Sequence, residues 1–165
     1  MKDEKQGVFA SVRKLIEDSN LTIVYEDQSR PWGGFFVLSE DQISKFINLH
    51  FLELDKSLFE GAEKLSPKIL VVAPKCRLSW QYHHRRGEFW TVLKGPVQVA
   101  ISDTDQEREV VTLKEGETIK LLQGQRHRLI GTDDWGVVAE IWQHTVADMP
   151  SDENDIVRVQ DDFGR

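Results

Sequence analysis

The residues best suited to chemistry lie in one short stretch, "LSWQYHHRRGEFW", at positions 78–90. It contains Gln81, His83 and Glu88, and amide, imidazole and carboxylate groups all bind divalent cations. Residues two apart in a strand face the same side, so Gln81 and His83 project together. We expect a short turn at 85–87 and an antiparallel hairpin that brings Glu88 beside them. The pattern therefore predicts a divalent metal site.

A fourth ligand must come from another part of the chain, and His127 is the candidate. It follows the predicted turn at Gly124 in "GETIKLLQGQRHRLIG", at the start of a strand. Strand alternation sends Arg126 and Arg128 to the opposite face, where surface salt bridges are expected, and it turns His84 away from the site. Ordinary polar residues are the alternative, but four of them on two separated, glycine-flanked motifs favour a metal site.

The second half of the chain predicts a β structure. From Lys68 to His144, short segments rich in β-branched and aromatic residues are separated by glycine, proline or acidic turns about every ten residues. This spacing is typical of an antiparallel sandwich or barrel. Taken alone, it supports a metal site in a β-barrel and says nothing of a substrate.

The first half of the chain predicts helices. Apolar residues at helical spacing predict a helix over 4–18 and another near 40–52, followed by a connecting loop over 53–66. We expect a helical extension with an entry strand over 1–66, packed on a barrel with a C-terminal tail over 67–165, within one structural domain. The predicted fold class is all-β with one or two short N-terminal helices.

Composition excludes several functional classes. The 165 residues carry a net charge of −7, which disfavours nucleic acid and anionic membranes as partners. The single cysteine, Cys76, excludes an intrachain disulfide and suits a reducing cytosol. No apolar run approaches the roughly 18 residues of a membrane span, and the N-terminus leads into no apolar signal core. The sequence predicts a soluble, cytoplasmic protein.

Two motifs resemble those of the cupin superfamily. "QYHHRRGEFWTVLKG" resembles the first motif, H-x-H-x4-E-x6-G, with Gln81 in the first ligand position. "GETIKLLQGQRHRLIG" resembles the second, G-x5-P-x-G-x2-H-x3-N, although Leu122 replaces the proline and Gly131 the asparagine. The resemblance implies a double-stranded β-helix, the cupin or jelly-roll barrel.

Within the cupins, the chain is most similar to the phosphomannose isomerases. "LSWQYH" has their glutamine-led ligand pattern, "RPWGG" resembles the entry segment of their bifunctional bacterial type, and "NDIVRVQDDFGR" resembles its C-terminus. Phe163 stands where that family has a tyrosine. The resemblance implies a metal-dependent sugar-phosphate isomerase that interconverts mannose 6-phosphate and fructose 6-phosphate or a near relative. Zinc is the favoured ion, with manganese, iron, cobalt or nickel as alternatives.

The resemblance also implies roles for residues outside the ligand set. Lys68 and Arg158 are expected to be catalytic residues that bind the phosphate. The residues expected to contact substrate are Trp90, Arg30 and His84; for Trp90 the reason is strand parity, which puts it on the same strand face as Glu88. The general base stays open, with His84, Glu140 and a metal-bound water as candidates.

Two other functions stay open on the sequence. One is a non-catalytic, metal-containing cupin that binds sugar, and the other is an iron cupin oxygenase. The amide of Gln81 counts against the oxygenase, since such enzymes usually present more histidines. The expected partner is a phosphorylated sugar, and a homodimer paired through sheet edges is a further expectation unless the N-terminal helices cover an edge.

Overall fold

The computed structural model describes residues 2–61 and 64–164 of the chain. The helices are α1 (Lys2–Asp18) and α2 (Ile43–His50), with 3-10 turns at Glu40–Gln42 and Lys56–Phe59. The strands are β1 (Ile23–Asp27), β2 (Gly33–Leu38), β3 (Lys68–Val72), β4 (Trp80–Tyr82), β5 (Arg86–Lys94), β6 (Val97–Ser102), β7 (Glu109–Leu113), β8 (Thr118–Leu121), β9 (Arg126–Gly131), β10 (Gly136–His144) and β11 (Val157–Gln160). Both predicted helices are therefore present within a mainly β protein. None of the described helices is long and apolar enough to cross a membrane.

The strands form two antiparallel sheets that enclose a barrel. The first sheet has the spatial order β1-β2-β3-β10-β5-β8, and the second has the order β11-β4-β9-β6-β7. Strands that are neighbours in space are often distant in sequence, as where β10 lies between β3 and β5. The N-terminal part of the chain supplies β1 and β2, which extend the first sheet beyond β3.

The central strands of the first sheet are buried on both faces. One face packs inside the barrel, where Leu70, Trp90 and Val138 meet Val99 and Leu129 of the second sheet. The other face packs against the helices, and its contacts are Ile69, Val71, Phe89 and Ile141 with Phe9, Ile16, Phe46 and Ile47. Burial on both faces explains why these segments read as nearly continuous apolar runs.

Strand parity then places polar side chains in the barrel. Residues two apart in a strand lie on the same face, so Lys68 shares a face with Leu70 on β3, Glu88 with Trp90 on β5, and Glu140 with Val138 on β10. Each polar residue therefore shares the interior face with its apolar neighbour.

Two glycines allow backbone segments to approach β3 closely. A Cβ at Gly33, whose φ is +141°, would lie 1.9 Å from the carbonyl oxygen of Val71. A Cβ at Gly131 would lie 2.1 Å from the carbonyl oxygen of Ala73. No other residue fits at either point without moving the backbone. This close approach explains why glycine replaces the asparagine of the second cupin motif at 131.

The predicted hairpin between Gln81 and Glu88 is wrong. Gln81 lies on β4, which pairs with β9 and β11 in the second sheet, whereas Glu88 lies on β5, which pairs with β10 and β8 in the first. Residues 83–85 leave one sheet and enter the other. The two residues thus approach each other across the barrel interior and not along a shared ladder.

Candidate metal centre and substrate cavity

Three buried side chains meet inside the barrel. Each of His83, Glu88 and His127 offers a ligand atom, and these atoms all lie within 4.8 Å of one another. His83 Nε2 is 3.5 Å from Glu88 Oε2, and His127 Nε2 is 3.3 Å from Glu88 Oε1. The two imidazole centroids are 5.2 Å apart. All three side chains are 2% exposed. The sequence motifs therefore bring their ligands to one point.

Backbone carbonyls orient both imidazoles toward Glu88. Nδ1 of His83 lies 2.7 Å from the carbonyl oxygen of Asp155, and Nδ1 of His127 lies 3.1 Å from that of Gln125. If each Nδ1 carries the proton and donates it, each Nε2 presents a lone pair to the carboxylate. This outer hydrogen bond is the usual arrangement for a histidine that binds a metal.

The centre contains polar atoms that need a cation. Glu88 Oε1 and His127 Nε2 are buried, and neither has a hydrogen-bond partner among the residues that the structure describes. A buried polar atom without a partner is costly, and two lone pairs at 3.3 Å repel each other. A divalent cation between them would satisfy both. The residues present therefore fit a metal ion, and the nitrogen and oxygen donors suit zinc and other transition ions.

Gln81 adjoins the centre from the second sheet. It pairs in register with His127 and lines the same cavity as Glu88. Its side-chain carbonyl accepts a hydrogen bond from the hydroxyl of Ser79 at 2.6 Å. Gln81 is therefore placed where an amide oxygen could complete the ligand set, and its role as a ligand stays a prediction.

Glu88 is held ionised in spite of its burial. Burial alone would raise its pKa, but the neighbouring His83, Arg86 and His127 side chains stabilise the carboxylate and hold the pKa of Glu88 well below its ordinary value. An ionised carboxylate is the form that binds a cation.

Arg86 is a further residue of the candidate site to which the sequence analysis assigned no role. We expected a turn at 85–87, but β5 begins at Arg86 and buries its side chain. Its Nε donates to Glu88 Oε2 at 3.1 Å, and the guanidinium lies 3.9 Å from the ring centroid of Trp142. The two-residue spacing from Glu88 was the available signal, since it puts both side chains on one strand face.

The centre opens into a cavity of about 150 Å³ that is rich in charged groups. Its cationic lining residues are Arg30, Lys68, Arg86 and Arg158, and its acidic lining residues are Glu88, Glu140 and Glu153. Trp90 lines the cavity, as its strand parity predicted. Positive charge close to a metal centre suits an anionic ligand.

Glu140 is a second buried carboxyl in this cavity. Trp90 Nε1 donates to its Oε2 at 2.8 Å, and Trp142 Nε1 donates to its Oε1 at 3.3 Å. Burial and the nearby Glu88 charge raise the pKa of Glu140 to about 7, against the opposing effects of Lys68, Arg86 and the Trp90 hydrogen bond. The two buried carboxyls of the cavity, Glu88 and Glu140, therefore have pKa values pushed in opposite directions, an arrangement that is common in catalytic sites.

Lys68 lies at the mouth of the cavity with Glu153. Its side chain is 11% exposed, and its Nζ donates to the two carboxylate oxygens of Glu153 at 2.9 and 3.1 Å. The Glu153 side chain is 57% exposed. A buried cation is thus held by a carboxylate that can move into solvent.

The remaining predicted substrate residues differ in position. Arg158 lies opposite Gln81 in the β4–β11 pair and lines the cavity. Arg30 also lines the cavity, and its Nε is 3.0 Å from Asp27 Oδ2. His84 is exposed and packs on Tyr82 with centroids 5.3 Å apart. It does not line the cavity, because strand alternation and the corner at 83–85 turn it outward. The geometry gives no support to a substrate role for His84.

Comparison with known proteins identifies the family. The sequence model of the protein family described as mannose-6-phosphate isomerase C-terminal matches residues 54–161, well over half of the chain.

The chain belongs to this family.

Curated relatives share the same region. The mannose-1-phosphate guanylyltransferase of Sinorhizobium fredii is 27% identical over 97% of this chain, and that match covers 26% of the relative. The xanthan biosynthesis protein XanB of Xanthomonas campestris pv. campestris is 31% identical over 82% of this chain and 23% of its own length. The chain therefore spans about a quarter of the length of these relatives.

Solved structures confirm the fold. An oxalate decarboxylase mutant from Bacillus subtilis matches with a TM-score of 0.57 at 12% identity, over 81% of this chain and 30% of that protein. The vicilin of hazelnut, Corylus avellana, matches with a TM-score of 0.56 at 17% identity, over 84% of this chain and 36% of that protein. At these identities the likeness concerns the fold alone. The cupin jelly roll expected from the sequence is confirmed.

Arg126 and Arg128, which flank His127, were both expected at the surface in salt bridges, and the structure places one of them differently. Arg126 pairs with Asp105 at 2.9 Å near the surface, as expected. Arg128 is 1% exposed, and its Nε donates to the carbonyl oxygen of Leu78 at 3.0 Å. Arg128 also pairs with Glu107 at 3.4 Å, so the predicted salt bridge is present, but Arg128 itself is buried because its guanidinium also donates to Gln160 of the C-terminal tail.

The raised pKa of Glu140 predicts a pH-dependent stability. In the folded, metal-free protein the pKa is about 7, against 4.5 for the free side chain. Below pH 4.5 the carboxyl is protonated in both states, and between these values folding holds a proton that the unfolded chain releases. The contribution of Glu140 to the free energy of unfolding of the wild type therefore falls as pH rises from 4.5 to 7. The melting temperature of E140Q minus that of wild type should increase from pH 4.5 to 7 and then level off.

Thermal melts in chelator at four values between pH 5 and pH 8 measure this difference. E153Q, which removes a more exposed carboxylate from the same cavity, is the control. A pH-independent difference for E140Q would show that Glu140 ionises normally.

Proposed function

We propose that this protein is a metal-dependent isomerase that interconverts an aldose phosphate and a ketose phosphate, with mannose 6-phosphate and fructose 6-phosphate as the most direct pair. The observation that carries the proposal is the buried carboxyl of Glu140, which shares one cavity with the Glu88 ligand cluster and with Lys68. Aldose–ketose isomerisation needs a stabilised oxyanion, a proton carrier and an anchor for the phosphate. Family membership and the sugar-phosphate substrates in the relatives' names support this substrate class.

The proposed cation site consists of His83, Glu88 and His127, with Gln81 as the fourth ligand. A divalent cation held there would act as a Lewis acid toward the substrate oxygens on C1 and C2. Since Glu88 is the one anionic member of this set, the centre would keep a net positive charge. Arg86 adds a further charge beside Glu88. This environment favours an anionic enediolate over the neutral sugar.

Glu140 is the proposed proton carrier. In the direction from aldose to ketose, its carboxylate takes the proton from C2 and returns it to C1, while the O2 hydroxyl proton passes to O1 through water, so that C2 becomes the carbonyl and C1 carries the hydroxyl. Burial raises the pKa of Glu140 toward neutrality, which suits a group that must both accept and release a proton. The indoles of Trp90 and Trp142 hold its two oxygens in place. Of the candidates named from the sequence, the exposed His84 has no such access.

Lys68 and Arg158 are the proposed phosphate ligands, with Arg30 as a third cation on the lining. The cavity of about 150 Å³ is smaller than the roughly 300 Å³ or more of typical ligand sites. At the mouth of the cavity, the carboxylate of Glu153 accepts hydrogen bonds from Lys68. Substrate entry therefore requires Glu153 to leave Lys68, and the phosphate takes the place of that carboxylate.

Removing the Glu153 charge is expected to strengthen binding. Ion pairs with an exposed partner contribute roughly 0.2–1 kcal/mol, so E153Q should lower KM for mannose 6-phosphate, and Kd for inorganic phosphate, by about 1.4- to 5-fold. The value of kcat should stay within about two-fold of wild type. Steady-state kinetics and phosphate titration of the tryptophan fluorescence measure these effects.

D152N is the matched control for E153Q. The neighbouring carboxylate of Asp152 pairs with Arg85 outside the cavity at 3.3 Å, so its loss should leave KM unchanged. An unchanged or higher KM in E153Q would mean that the phosphate does not bind at Lys68.

The proposed function is tested with metal-replete protein and a panel of hexose and heptose phosphates. Turnover of mannose 6-phosphate to fructose 6-phosphate, abolished by chelator and restored by one divalent ion, is the expected result. Tight sugar-phosphate binding without turnover would replace the isomerase by a sugar-binding cupin. Oxygen consumption with ferrous iron in place of isomerisation would identify an oxygenase.

A further inference from the structure

The C-terminal tail is bonded to the loop that carries a candidate metal ligand. We call residues 151–155 the strap. Within it, the buried carboxylate of Asp155 accepts hydrogen bonds at 2.9 Å from the backbone N–H groups of His84 and Arg85. The hydroxyl of Ser151 donates to the same carboxylate at 2.6 Å. The backbone N–H groups of the corner between β4 and β5 thus donate to the strap and not to a sheet ladder, whereas its carbonyls accept from Gly124, Gln123 and Thr145.

The strap also contacts the metal ligands more directly. The backbone carbonyl of Asp155 accepts from Nδ1 of His83 at 2.7 Å. Arg86, which donates to Glu88, also donates through Nη1 to the hydroxyl of Ser151 and to the carbonyl of Asp152, both at 2.9 Å. The strap therefore holds the orientation of one imidazole and supports the arginine beside the carboxylate.

We infer that Asp155 is a positioning residue that couples the strap to cation binding at His83 and Glu88. The carboxylate of Asp155 binds the backbone N–H groups of the 83–85 corner and so fixes the position of that corner in the barrel. The backbone carbonyl of Asp155 then accepts from His83 Nδ1, which directs Nε2 into the barrel. Loss of the carboxylate removes the acceptor for both N–H groups and lets the corner shift, so His83 no longer presents Nε2 at the cation position. This inference rests on the metal centre of the proposed function and not on the reaction that it serves.

The coupling is reciprocal. A strap that tightens cation binding must itself be stabilised by the cation to the same extent, because the two equilibria are linked. The backbone amides of His84 and Arg85, which donate to Asp155, report this stabilisation. Their hydrogen exchange should slow when zinc is added to the wild-type protein.

A second aspartate in the same tail distinguishes positioning from simple anchoring. Asp162 accepts hydrogen bonds from Arg77 at 2.6 and 2.9 Å on the outer side of the second sheet. It thus anchors the tail with a carboxylate as Asp155 does, but the structure gives it no hydrogen bond to the 83–86 corner. A purely structural role for Asp155 predicts equal effects from D155N and D162N.

The test measures zinc affinity by competition with a chromophoric chelator. D155N should bind zinc roughly 10–100-fold more weakly than wild type, the range typical for loss of an outer partner of a ligand. D162N should stay within about two-fold of wild type. The visible spectrum of the cobalt-loaded protein should change in D155N and not in D162N, because it reports ligand geometry.

S151A provides a milder variant in case D155N does not fold. It removes one hydrogen bond to the Asp155 carboxylate and one from Arg86, keeps the Asp155 contacts with the corner, and should weaken zinc binding in the same direction by a smaller factor. Equal zinc affinity in wild type, D155N and S151A, equal weakening in D155N and D162N, or no zinc binding by wild type would overturn the inference. A protein that binds zinc in the expected order but isomerises no sugar phosphate would overturn the proposed function alone.

Discussion

Replacing His127 by alanine is expected to weaken zinc binding by more than about 100-fold and to reduce isomerisation to background. The expected loss exceeds the roughly 10–100-fold that follows removal of an outer partner, because a ligand atom itself is removed. His127 reaches Glu88 from β9, whereas His83 reaches it from the corner after β4, so the two remaining candidate ligands cannot take the place of the His127 imidazole. Chelator competition and metal analysis of the purified variant measure the affinity and the zinc content.

The matched control for this experiment is H84A. His84 adjoins the ligand His83 in sequence, but its side chain is exposed and packs on Tyr82. Its loss should change neither zinc affinity nor turnover by more than about two-fold. If H127A kept its zinc, or if H84A lost as much zinc as H127A, the ligand set argued above would be wrong.

Replacing Glu140 by glutamine is expected to lower kcat by about 10²–10⁴-fold, the range typical for loss of a general acid–base group. KM and zinc content should change little, because glutamine is nearly isosteric and Glu140 is not among the proposed ligands. Exchange of the C2 proton of mannose 6-phosphate with deuterated solvent should fall by a similar factor. Steady-state kinetics with matched zinc loading and proton NMR of the substrate measure the two effects.

E153Q serves as the control carboxylate for this experiment. Glu153 lines the same cavity, but it contacts Lys68 and is half exposed, so its loss should leave kcat near the wild-type value. If E140Q turned over as fast as wild type with zinc bound, the proton would be carried by another group. If its zinc content fell in parallel with kcat, Glu140 would act on the metal and not on the proton.

Strand parity predicted which side chains share the barrel interior. The two-residue spacing in "GEFW" put Glu88 and Trp90 on one face, and both line the cavity. The same rule sent His84 outward. Parity works here because it depends on backbone geometry within one strand, which the local sequence determines.

The pairing of the strands could not be predicted from the local sequence pattern. The sequence suggested that Gln81 and Glu88 lie on a hairpin, since antiparallel neighbours in sequence commonly pair. In the structure they lie on opposite sheets because residues 83–85 form a corner. Whether a short polar segment turns back or crosses depends on contacts with distant chain, here with Asp155.

The partners that complete the site were hidden for the same reason. The burial of Arg86 depends on Ser151 and Asp152, 65 and 66 residues away in sequence. The stretch from 148 to 155 reads as an acidic, solvated tail, and nothing in its composition predicts that Asp155 is buried. The ligand motif was thus readable from the sequence, whereas the residues that orient it come from long-range contacts.

The most direct test of the metal centre is anomalous diffraction from crystals of the purified protein grown with zinc, recorded on both sides of the zinc absorption edge. We expect one strong peak inside the barrel, at about 2.0–2.2 Å from His83 Nε2, His127 Nε2 and a carboxylate oxygen of Glu88. No peak inside the barrel, or a peak that any of these three side chains fails to contact, would contradict the account.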